Sequence, residues 1–529
     1  MTKKTYTRVD DALSHLSVSS GAEDDQRRPE TCQRCRSSPE VSAASHTVPF
    51  INFLAENPTV FHAVSYFSDR LKSVGFTKLS ERELWTTKVR KGGQYYLERN
   101  GSSLIAFVVG DKYTSGNGAG IVAGHIDAVL PAGMSRLMEQ TVKPISTLKN
   151  KAGYAQLGIA PYAGALSSSW FDRDLGIGGR VLVKNEDSGK IETKLVKLGW
   201  PIARIPTLAP HFGSAASGPF NKETEMVPII GLEKEGISAT GESKTERHIS
   251  HVDGEGTFAS TQPARLVKAI AGELEIQNYS SIVNWELELF DTQPGQLGGI
   301  DKEFIFAGRI DDKLCSYAAL EALIASSSPE SSHGNSNSGN SGIIKVVGLF
   351  DDEEIGSQLR QGARGNLLSS TMERICEAFA DEKCGPNIFS QTYANSFLIS
   401  ADVTHAVNPN FLGAYLENHA PQLNTGVCVQ CDSNGHMTTD AVSSAVLQRV
   451  AEKCGSKLQV FQIRNDSRSG GTVGPMLSSQ TGIRAIDAGL PQLSMHSIRA
   501  TCGSLDPGIG VKLYKGFFDH FEEVDQEFA

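Results

Sequence analysis

Five short segments of this sequence end in acidic or imidazole side chains, and four of them come directly after an apolar run. The strongest is the run at residues 343–350, which is followed by Asp351-Asp352-Glu353-Glu354. Four carboxylates at the exit of a buried strand repel one another and lose hydration energy. A protein tolerates such a cluster when the carboxylates bind a cation or transfer a proton.

The other four segments carry the remaining candidate ligands. They end in His125 and Asp127, in Asp311 and Asp312, in Asp402, and in His496. Imidazole nitrogens and carboxylate oxygens are ligands that zinc accepts at about 2.0–2.2 Å. Ligands bind at the carboxyl ends of the strands in an open α/β sheet, so the pattern predicts a hydrolase with two metal ions at that edge.

The two imidazoles and the acids can be divided between two ions. One site would use His125 and a carboxylate, and the other would use His496 and a carboxylate. A further carboxylate would bridge ions that lie about 3.5–4 Å apart. The doublet Glu353-Glu354 can supply both a ligand and a general base, because neighbours in an extended turn point to opposite sides. Asp127, two residues after His125, can orient that imidazole.

The composition of the whole chain excludes several other classes of function. A net charge of −10 argues against a nucleic-acid surface, which requires a basic face. We find no apolar run near the ~20 residues of a membrane span and no signal-peptide core, so we expect no membrane span and no conventional secretion. Nine cysteines, an odd number scattered along the chain, do not indicate a disulfide framework.

The chain is longer than the roughly 250–300 residues that one core supports, and it divides into four segments. Residues 1–45 are polar and predict a disordered tail, or a short helix that binds a partner or serves in targeting. Residues 46–130 and 300–529 show the strand–helix alternation of an α/β sheet flanked by helices, and we interpret them as two parts of one catalytic domain. Residues 131–299 are rich in short strands, Gly and Pro, and predict an inserted β-rich domain.

Glycine-rich stretches need separate treatment, because some of them bind nucleotides. The stretch at residues 116–120 precedes a strand, whereas a dinucleotide fingerprint follows one, so we reject a nucleotide site there. The stretch at residues 469–475 contains Gly470, Gly471 and Thr472. We expect it to let a backbone approach a substrate or another chain closely.

Six motifs form a specific combination: Gly124-His125-Ile126-Asp127, Trp170-Phe171-Asp172-Arg173-Asp174-Leu175, Arg309-Ile310-Asp311-Asp312, Asp352-Glu353-Glu354-Ile355-Gly356-Ser357, Ser400-Ala401-Asp402-Val403 and Met495-His496-Ser497-Ile498-Arg499. Over about residues 48–525 the chain resembles the aspartyl aminopeptidase family of zinc metallopeptidases. Three further motifs are similar to those of the fungal vacuolar aminopeptidase I branch: Leu208-Ala209-Pro210-His211-Phe212-Gly213, Asp432-Ser433-Asn434-Gly435-His436-Met437 and Arg468-Ser469-Gly470-Gly471-Thr472.

The resemblance implies an aminopeptidase that removes N-terminal residues from peptides and holds two Zn²⁺ per subunit. Asp311 would bridge the two ions. His125 and Asp402 would hold one ion, and Glu354 and His496 would hold the other.

The resemblance also implies catalytic roles and an assembly. Glu353 would be the general base that activates a metal-bridging water, and Asp127 would support His125. The inserted domain would dimerise and carry His211 into the neighbouring subunit's active site, and dimers would assemble into a dodecamer. A targeting receptor would bind the N-terminal tail, and the enzyme would reside in the vacuole without a conventional signal peptide, with the cytoplasm as the alternative.

The residues expected to bind substrate are Asn434, His436, Gly470, Gly471 and Thr472. The aspartyl-specific branch resembled here carries a lysine near the position of Asn434, but residues 432–439 contain no Lys or Arg. A buried acidic substrate side chain needs a cationic partner. We therefore expect a preference for neutral or apolar N-terminal residues such as Leu.

A second departure from the family lies beside the site, where about ten residues at 130–140 are inserted just after Asp127. They form either a real loop, which could disturb His125 if it folded inward, or an error in the gene model. Two other functions remain open from the sequence. One is a different dinuclear zinc amide hydrolase, a carboxypeptidase or deacylase, which would bind a free carboxylate with an Arg. The other is a self-assembling cargo or scaffold protein.

Overall fold

The computed structural model describes residues 42–128, 134–135, 139–140, 149–163, 167–232, 256–328, 341–380 and 384–528. Most of the predicted tail at 1–45 and most of the expected insertion at 130–140 lie outside these residues. Within the described residues, no helix is both long enough and apolar enough to cross a membrane.

The described residues form twenty-two strands and nine α-helices. The strands are β1 (Thr77–Lys78), β2 (Gln94–Arg99), β3 (Ser103–Val109), β4 (Ala119–His125), β5 (Met134–Ser135), β6 (Glu139–Gln140), β7 (Lys149–Lys151), β8 (Tyr154–Gln156), β9 (Leu175–Lys184), β10 (Ile191–Lys197), β11 (Ile229–Leu232), β12 (Ile282–Asp291), β13 (Gln296–Gly298), β14 (Phe304–Ala307), β15 (Ile344–Phe350), β16 (Phe397–Ser400), β17 (Thr404–His405), β18 (Val427–Cys431), β19 (Leu458–Gln462), β20 (Arg484–Gly489), β21 (Pro491–Gln492) and β22 (Ala500–Gly503). The helices are α1 (Thr47–Glu56), α2 (Val60–Ser73), α3 (Ala264–Glu273), α4 (Ile310–Ser327), α5 (Leu367–Ala378), α6 (Pro386–Ala394), α7 (Ala441–Cys454), α8 (Val473–Thr481) and α9 (Asp506–Asp525).

The largest sheet has nine strands in the order β1-β2-β3-β15-β4-β16-β20-β18-β19. Its four central strands β15, β4, β16 and β20 are parallel to one another, whereas β3 and β18 on either side of them run antiparallel. In this register Phe350 pairs with His125, and Ser400 pairs with Ala123. The carboxyl ends of three strands therefore meet at one edge of the sheet, as the acidic segments predicted.

The central strands are buried on both faces, which explains their continuous apolar sequence. Side chains on one strand alternate between two cores: Val122 belongs to the core that contains α4 and α9, whereas Ile121 and Ala123 belong to the core that contains α5 and α8. Helices thus cover both faces of the sheet. The predicted α/β sheet flanked by helices is confirmed.

A third core, called the smaller core below, is built around the antiparallel sheet β10-β9-β12 and helix α3. Its largest members are Trp170 and Trp285. Apart from Ala128 and Ile498, its buried residues fall within 131–299. This segment therefore has an apolar centre of its own.

Candidate active site

Six predicted side chains line one cavity of about 330 Å³ at the carboxyl edge of the central strands: His125, Asp311, Glu353, Glu354, Asp402 and His496. His125 ends β4, and a 3₁₀ turn at Glu353–Ile355 follows β15. Asp402 lies two residues beyond β16, and Asp311 lies in the first turn of α4. His496 lies between β21 and β22. The structure therefore brings together residues that are separated by up to 371 positions in the sequence.

The nitrogen–oxygen distances divide these side chains into two groups. His125 Nε2 lies 3.3 Å from Asp311 Oδ1 and 3.6 Å from Asp402 Oδ1. His496 Nε2 lies 3.7 Å from Asp311 Oδ2 and 3.7 Å from Glu354 Oε2. Two ligands at about 2.0–2.2 Å from a tetrahedral ion are themselves about 3.3–3.6 Å apart. Each oxygen of Asp311 therefore faces a different group at nearly the spacing that a shared ion requires.

The chemistry of the donor set fits a divalent cation. Burial raises the pKa of Glu354 well above its ordinary value, and the negative charge of Asp311 adds to this increase. Burial also raises the pKa of Asp402. Glu354 Oε1 is buried and has no hydrogen-bond partner among the described residues. Such carboxylates are costly unless a cation balances them, and a mixed set of imidazole and carboxylate ligands suits zinc.

Asp127 organises this site through its main chain and its side chain. The main-chain oxygen of Asp127 lies 3.0 Å from His125 Nδ1, and because a carbonyl only accepts, Nδ1 carries the proton and Nε2 is free to bind a metal. The main-chain N–H groups of Glu353 and Glu354 donate to the two carboxylate oxygens of Asp127, each at 3.2 Å. Asp127 therefore holds both the imidazole and the turn that carries the two glutamates.

The glutamate turn is tight. Asp352 has a φ of 62° and Gly356 has a φ of 93°, a conformation that glycine adopts without strain. The turn directs Glu353 into the cavity. Burial raises the pKa of Glu353 to about 8, with Asp402, Asp127 and Asp311 adding to the increase and His125 opposing it.

The loop that carries His496 is held from a different direction. Ser494 and His496 both have positive φ, and the His496 side chain is 60% exposed. Three residues later, Arg499 donates to Asp291 Oδ2 at 2.9 Å and to the main-chain oxygen of Phe306 at 2.8 Å. Arg309, just before α4, also points to Asp291 and donates to its main-chain oxygen at 3.5 Å. Through Arg499 and Arg309, Asp291 therefore contacts both the loop that carries His496 and the start of α4, which carries Asp311.

The wall of the cavity away from the acids is mainly apolar, with Val403, Cys431, Met437, Phe461, Ile463, Met476 and Met495. Gly470, Gly471 and Thr472, for which the sequence predicted a substrate-binding role, line the cavity. None of the described residues that line it is Lys or Arg. The cavity can therefore accommodate an uncharged side chain next to the acidic cluster.

Besides Asp127, which contacts His125 and the glutamate turn from outside the cavity lining, three predicted residues do not line this cavity. Asn434 is exposed, and its main-chain N–H donates to Asp432 Oδ1 at 2.7 Å. His436 is also exposed, with Nδ1 lying 3.1 Å from Asp432 Oδ2. His211 lies in the exposed 3₁₀ segment Pro210–Ala216. Within one chain these three side chains do not join the ligand groups.

His405 and Gln430 are among the cavity residues that the sequence reasoning missed. His405 lines the cavity three positions after Asp402, and its ring packs edge-on against Phe461 with 5.8 Å between ring centroids. Gln430 lines the cavity and donates to the main-chain oxygen of Asp402 at 3.0 Å. His405 could have been identified from the sequence, because its imidazole follows Asp402, an acid just after a strand, by only three positions. Gln430 carried no such signal.

The sequence and structure were compared with known proteins. The family model described as "Aminopeptidase I zinc metalloprotease (M18)" matches residues 53–518. Vacuolar aminopeptidase 1 of Saccharomyces cerevisiae is 42% identical over 490 residues, which cover 91% of this chain and 89% of that protein. The structure of Chaetomium thermophilum mApe1 has a TM-score of 0.81 and 51% identity, and covers 92% of this chain and 100% of its own. The structure of the S. cerevisiae mApe1 dodecamer has a TM-score of 0.78 and 37% identity, and covers 92% and 99%.

These matches span the whole set of motifs from which the family was predicted, and they confirm it. The chain belongs to the M18 family of zinc metallopeptidases and is an aminopeptidase.

Proposed function

We propose that this aminopeptidase holds two zinc ions per chain and releases N-terminal residues from peptides with Glu353 as the general base. The observation that carries the proposal is the placement of the two Asp311 oxygens. One oxygen lies 3.3 Å from His125 Nε2, and the other lies 3.7 Å from His496 Nε2. Zinc supplies Lewis-acid polarisation of the scissile carbonyl and lowers the pKa of water.

The chain's own residues then perform the proton transfers. Glu353 accepts the proton of the attacking water on its carboxylate and returns it to the leaving amine. Burial raises the pKa of Glu353, which helps this carboxyl to hold the proton between the two transfers. Asp127 keeps Glu353 in place through the main-chain hydrogen bond at 3.2 Å. Besides the proposed ligands and Glu353, Asp432 lines the cavity and can provide negative charge for the free N-terminal amine of the substrate, which favours an aminopeptidase over a carboxypeptidase.

We further propose that residues 46–130 and 300–529 form the catalytic domain and that 131–299 form an inserted domain that dimerises. The separate smaller core supports this division. Leu208 and Phe212, on either side of His211, are 43% and 66% exposed, as expected for side chains that another subunit covers. One solved relative is a dodecamer, and we propose the same assembly here.

The cellular location follows from the relatives. The S. cerevisiae relative of 42% identity is a vacuolar aminopeptidase, so we propose the vacuole as the location, with the cytoplasm as the alternative. The N-terminal tail is then the segment that a targeting receptor would bind. It lies mostly outside the described residues.

Replacing the base tests the mechanism. Glu353→Gln keeps the shape of the side chain but removes the proton acceptor, so kcat should fall by at least the ~10²–10⁴ typical of a lost general base. Metal analysis should show unchanged zinc, because Glu353 is not proposed as a ligand. Glu273→Gln, an exposed substitution of the same type on α3, is the control and should retain activity. Substantial activity in Glu353→Gln contradicts the assignment.

Metal content tests the two ligand groups separately. The wild type should contain about two zinc ions per chain, His496→Ala about one, and Asp311→Ala fewer than the wild type at both sites, because a bridging ligand serves both ions. His520→Ala on α9 is the control and should keep its zinc. A fully active metal-free enzyme, or full zinc in His496→Ala, would rule out the dinuclear arrangement.

The apolar cavity wall predicts the substrate preference. Peptides that differ only in their N-terminal residue should show a higher kcat/KM for Leu than for Asp, because an aspartate side chain would lose hydration without gaining a cationic partner. Steady-state kinetics on the two peptides measures the ratio. A clear preference for Asp would mean that a neighbouring subunit supplies the cation.

The role of His211 across the interface can be tested by complementation. His211→Ala should lower kcat by about 10²–10³ if the imidazole donates to the developing oxyanion. Reversible dissociation and reassembly with Glu353→Gln places intact Glu353 beside intact His211 in some sites, so activity should return in part. Reassembly of Glu353→Gln with a His211→Ala/Glu353→Gln double variant is the control and should stay inactive. If the first mixture also stays inactive, His211 does not act on a partner.

A further inference from the structure

Tyr162 connects two parts of the molecule that otherwise have separate cores. Leu157 and Ile159 pack in the smaller core, whereas Tyr162, three residues after Ile159, packs in the core that contains α4 and α9. The next residue, Ala163, has a φ of 54°, a conformation that alanine rarely adopts. The chain therefore leaves the smaller core and places one aromatic side chain beneath the large sheet.

The Tyr162 hydroxyl group lies beside the residues of the proposed active site. It donates to Asp127 Oδ2 at 2.7 Å, and both side chains are buried, with 4% of each residue exposed. The same carboxylate accepts the main-chain N–H groups of Glu353 and Glu354. Tyr162 is thus one contact away from the turn that carries the proposed base.

The lengths of these bonds indicate which one fixes the carboxylate. The two main-chain donors lie 3.2 Å from Asp127, at the long end of the range for N–H···O hydrogen bonds. The Tyr162 bond of 2.7 Å has the length of a strong O–H···O⁻ bond. Without it, Oδ2 would keep only the long contact to Glu354, and the carboxylate could rotate away from the turn.

We propose that Tyr162 is a positioning residue for catalysis. Its hydroxyl holds the Asp127 carboxylate so that Asp127 keeps the Glu353–Glu354 turn in register with His125. The segment 131–299 then contributes to the active site of its own chain, in addition to any contribution to a partner. This inference rests on the proposed role of Glu353 as general base.

The test is Tyr162→Phe, which removes the hydroxyl and keeps the ring. Because removing a group that orients the residues around a metal site typically costs 10–100-fold, kcat should fall by about 10-fold or more, with KM changed by less than about twofold and zinc content unchanged. The matched control is Tyr393→Phe on α6, whose hydroxyl bonds the main-chain oxygen of Ser369 and Glu373 Oε1 away from the cavity. The control should keep its kcat. Wild-type kcat in Tyr162→Phe, or an equal loss in the control, overturns the inference.

A double variant shows whether Tyr162 acts through Asp127. In an Asp127→Asn background, Tyr162→Phe should cause little further loss of kcat, because the carboxylate that it positions is already gone. Losses of kcat that multiply overturn the inference and assign Tyr162 a separate structural role.

Thermal unfolding of each variant establishes that it is folded. If Tyr162→Phe does not fold, Asp127→Asn alone should reproduce the kcat loss at unchanged KM. Full activity of Tyr162→Phe beside an inactive Glu353→Gln overturns only this inference, whereas an active Glu353→Gln overturns the proposed mechanism as well.

Discussion

The site depends on negative charge that is crowded into a buried edge of the sheet. At an effective dielectric constant of about 20, two unit charges 4 Å apart repel by about 4 kcal/mol. Ligand oxygens of Asp311 and Glu354 lie within 4.8 Å of each other, and so do those of Asp312 and Asp402, so two such pairs occur close together. Their sum would rival the ~5–15 kcal/mol by which a folded domain is stable. The acids must therefore be partly protonated or balanced by cations. Burial is the main cause of the raised pKa values of Glu353, Glu354 and Asp402, and repulsion by the neighbouring acids adds to it. Ligand geometry and family membership both indicate that zinc provides the balance.

The acids can lie this close to one another only because neighbouring main-chain segments approach each other closely. A Cβ on Gly489 would lie 1.6 Å from the main-chain oxygen of Asp402, so only glycine lets β20 pass beside this ligand. A Cβ on Gly124 would lie 2.5 Å from the oxygen of Ala401 and 2.8 Å from Asp312 Oδ2. The glycine before His125 therefore has a packing reason, which is to let the end of β4 approach both the Asp402 segment and the start of α4.

The sequence predicted those parts of the site that depend on local pattern. Apolar runs that end in His125, Glu353 and Asp402 identify buried strands and the edge at which they terminate, because parallel strands in one sheet end together. Contacts such as that of Tyr162 with Asp127 could not be predicted in this way. Such contacts depend on how distant segments pack in the folded chain, and no periodic sequence pattern indicates that packing. Asn434 was expected near the substrate from its motif, but it is exposed and does not line the cavity, and its main-chain N–H donates to Asp432 within the same turn.

The segment 131–299 supports the active site at two opposite points. Tyr162 holds Asp127 on the side of the glutamate turn, and Asp291 holds Arg499 and Arg309 on the side of His496 and Asp311. Asp291 is the last residue of β12, the strand that crosses the smaller core. Neither contact involves a proposed metal ligand directly, yet each fixes the backbone that carries one. The large sheet alone places His125 and Asp402, because they follow its central strands. Glu353, Glu354 and His496 lie on turns with positive φ, and such turns keep their shape only when the surroundings hold them. The arrangement of the proposed ligands therefore depends on contacts from both the large sheet and the segment 131–299.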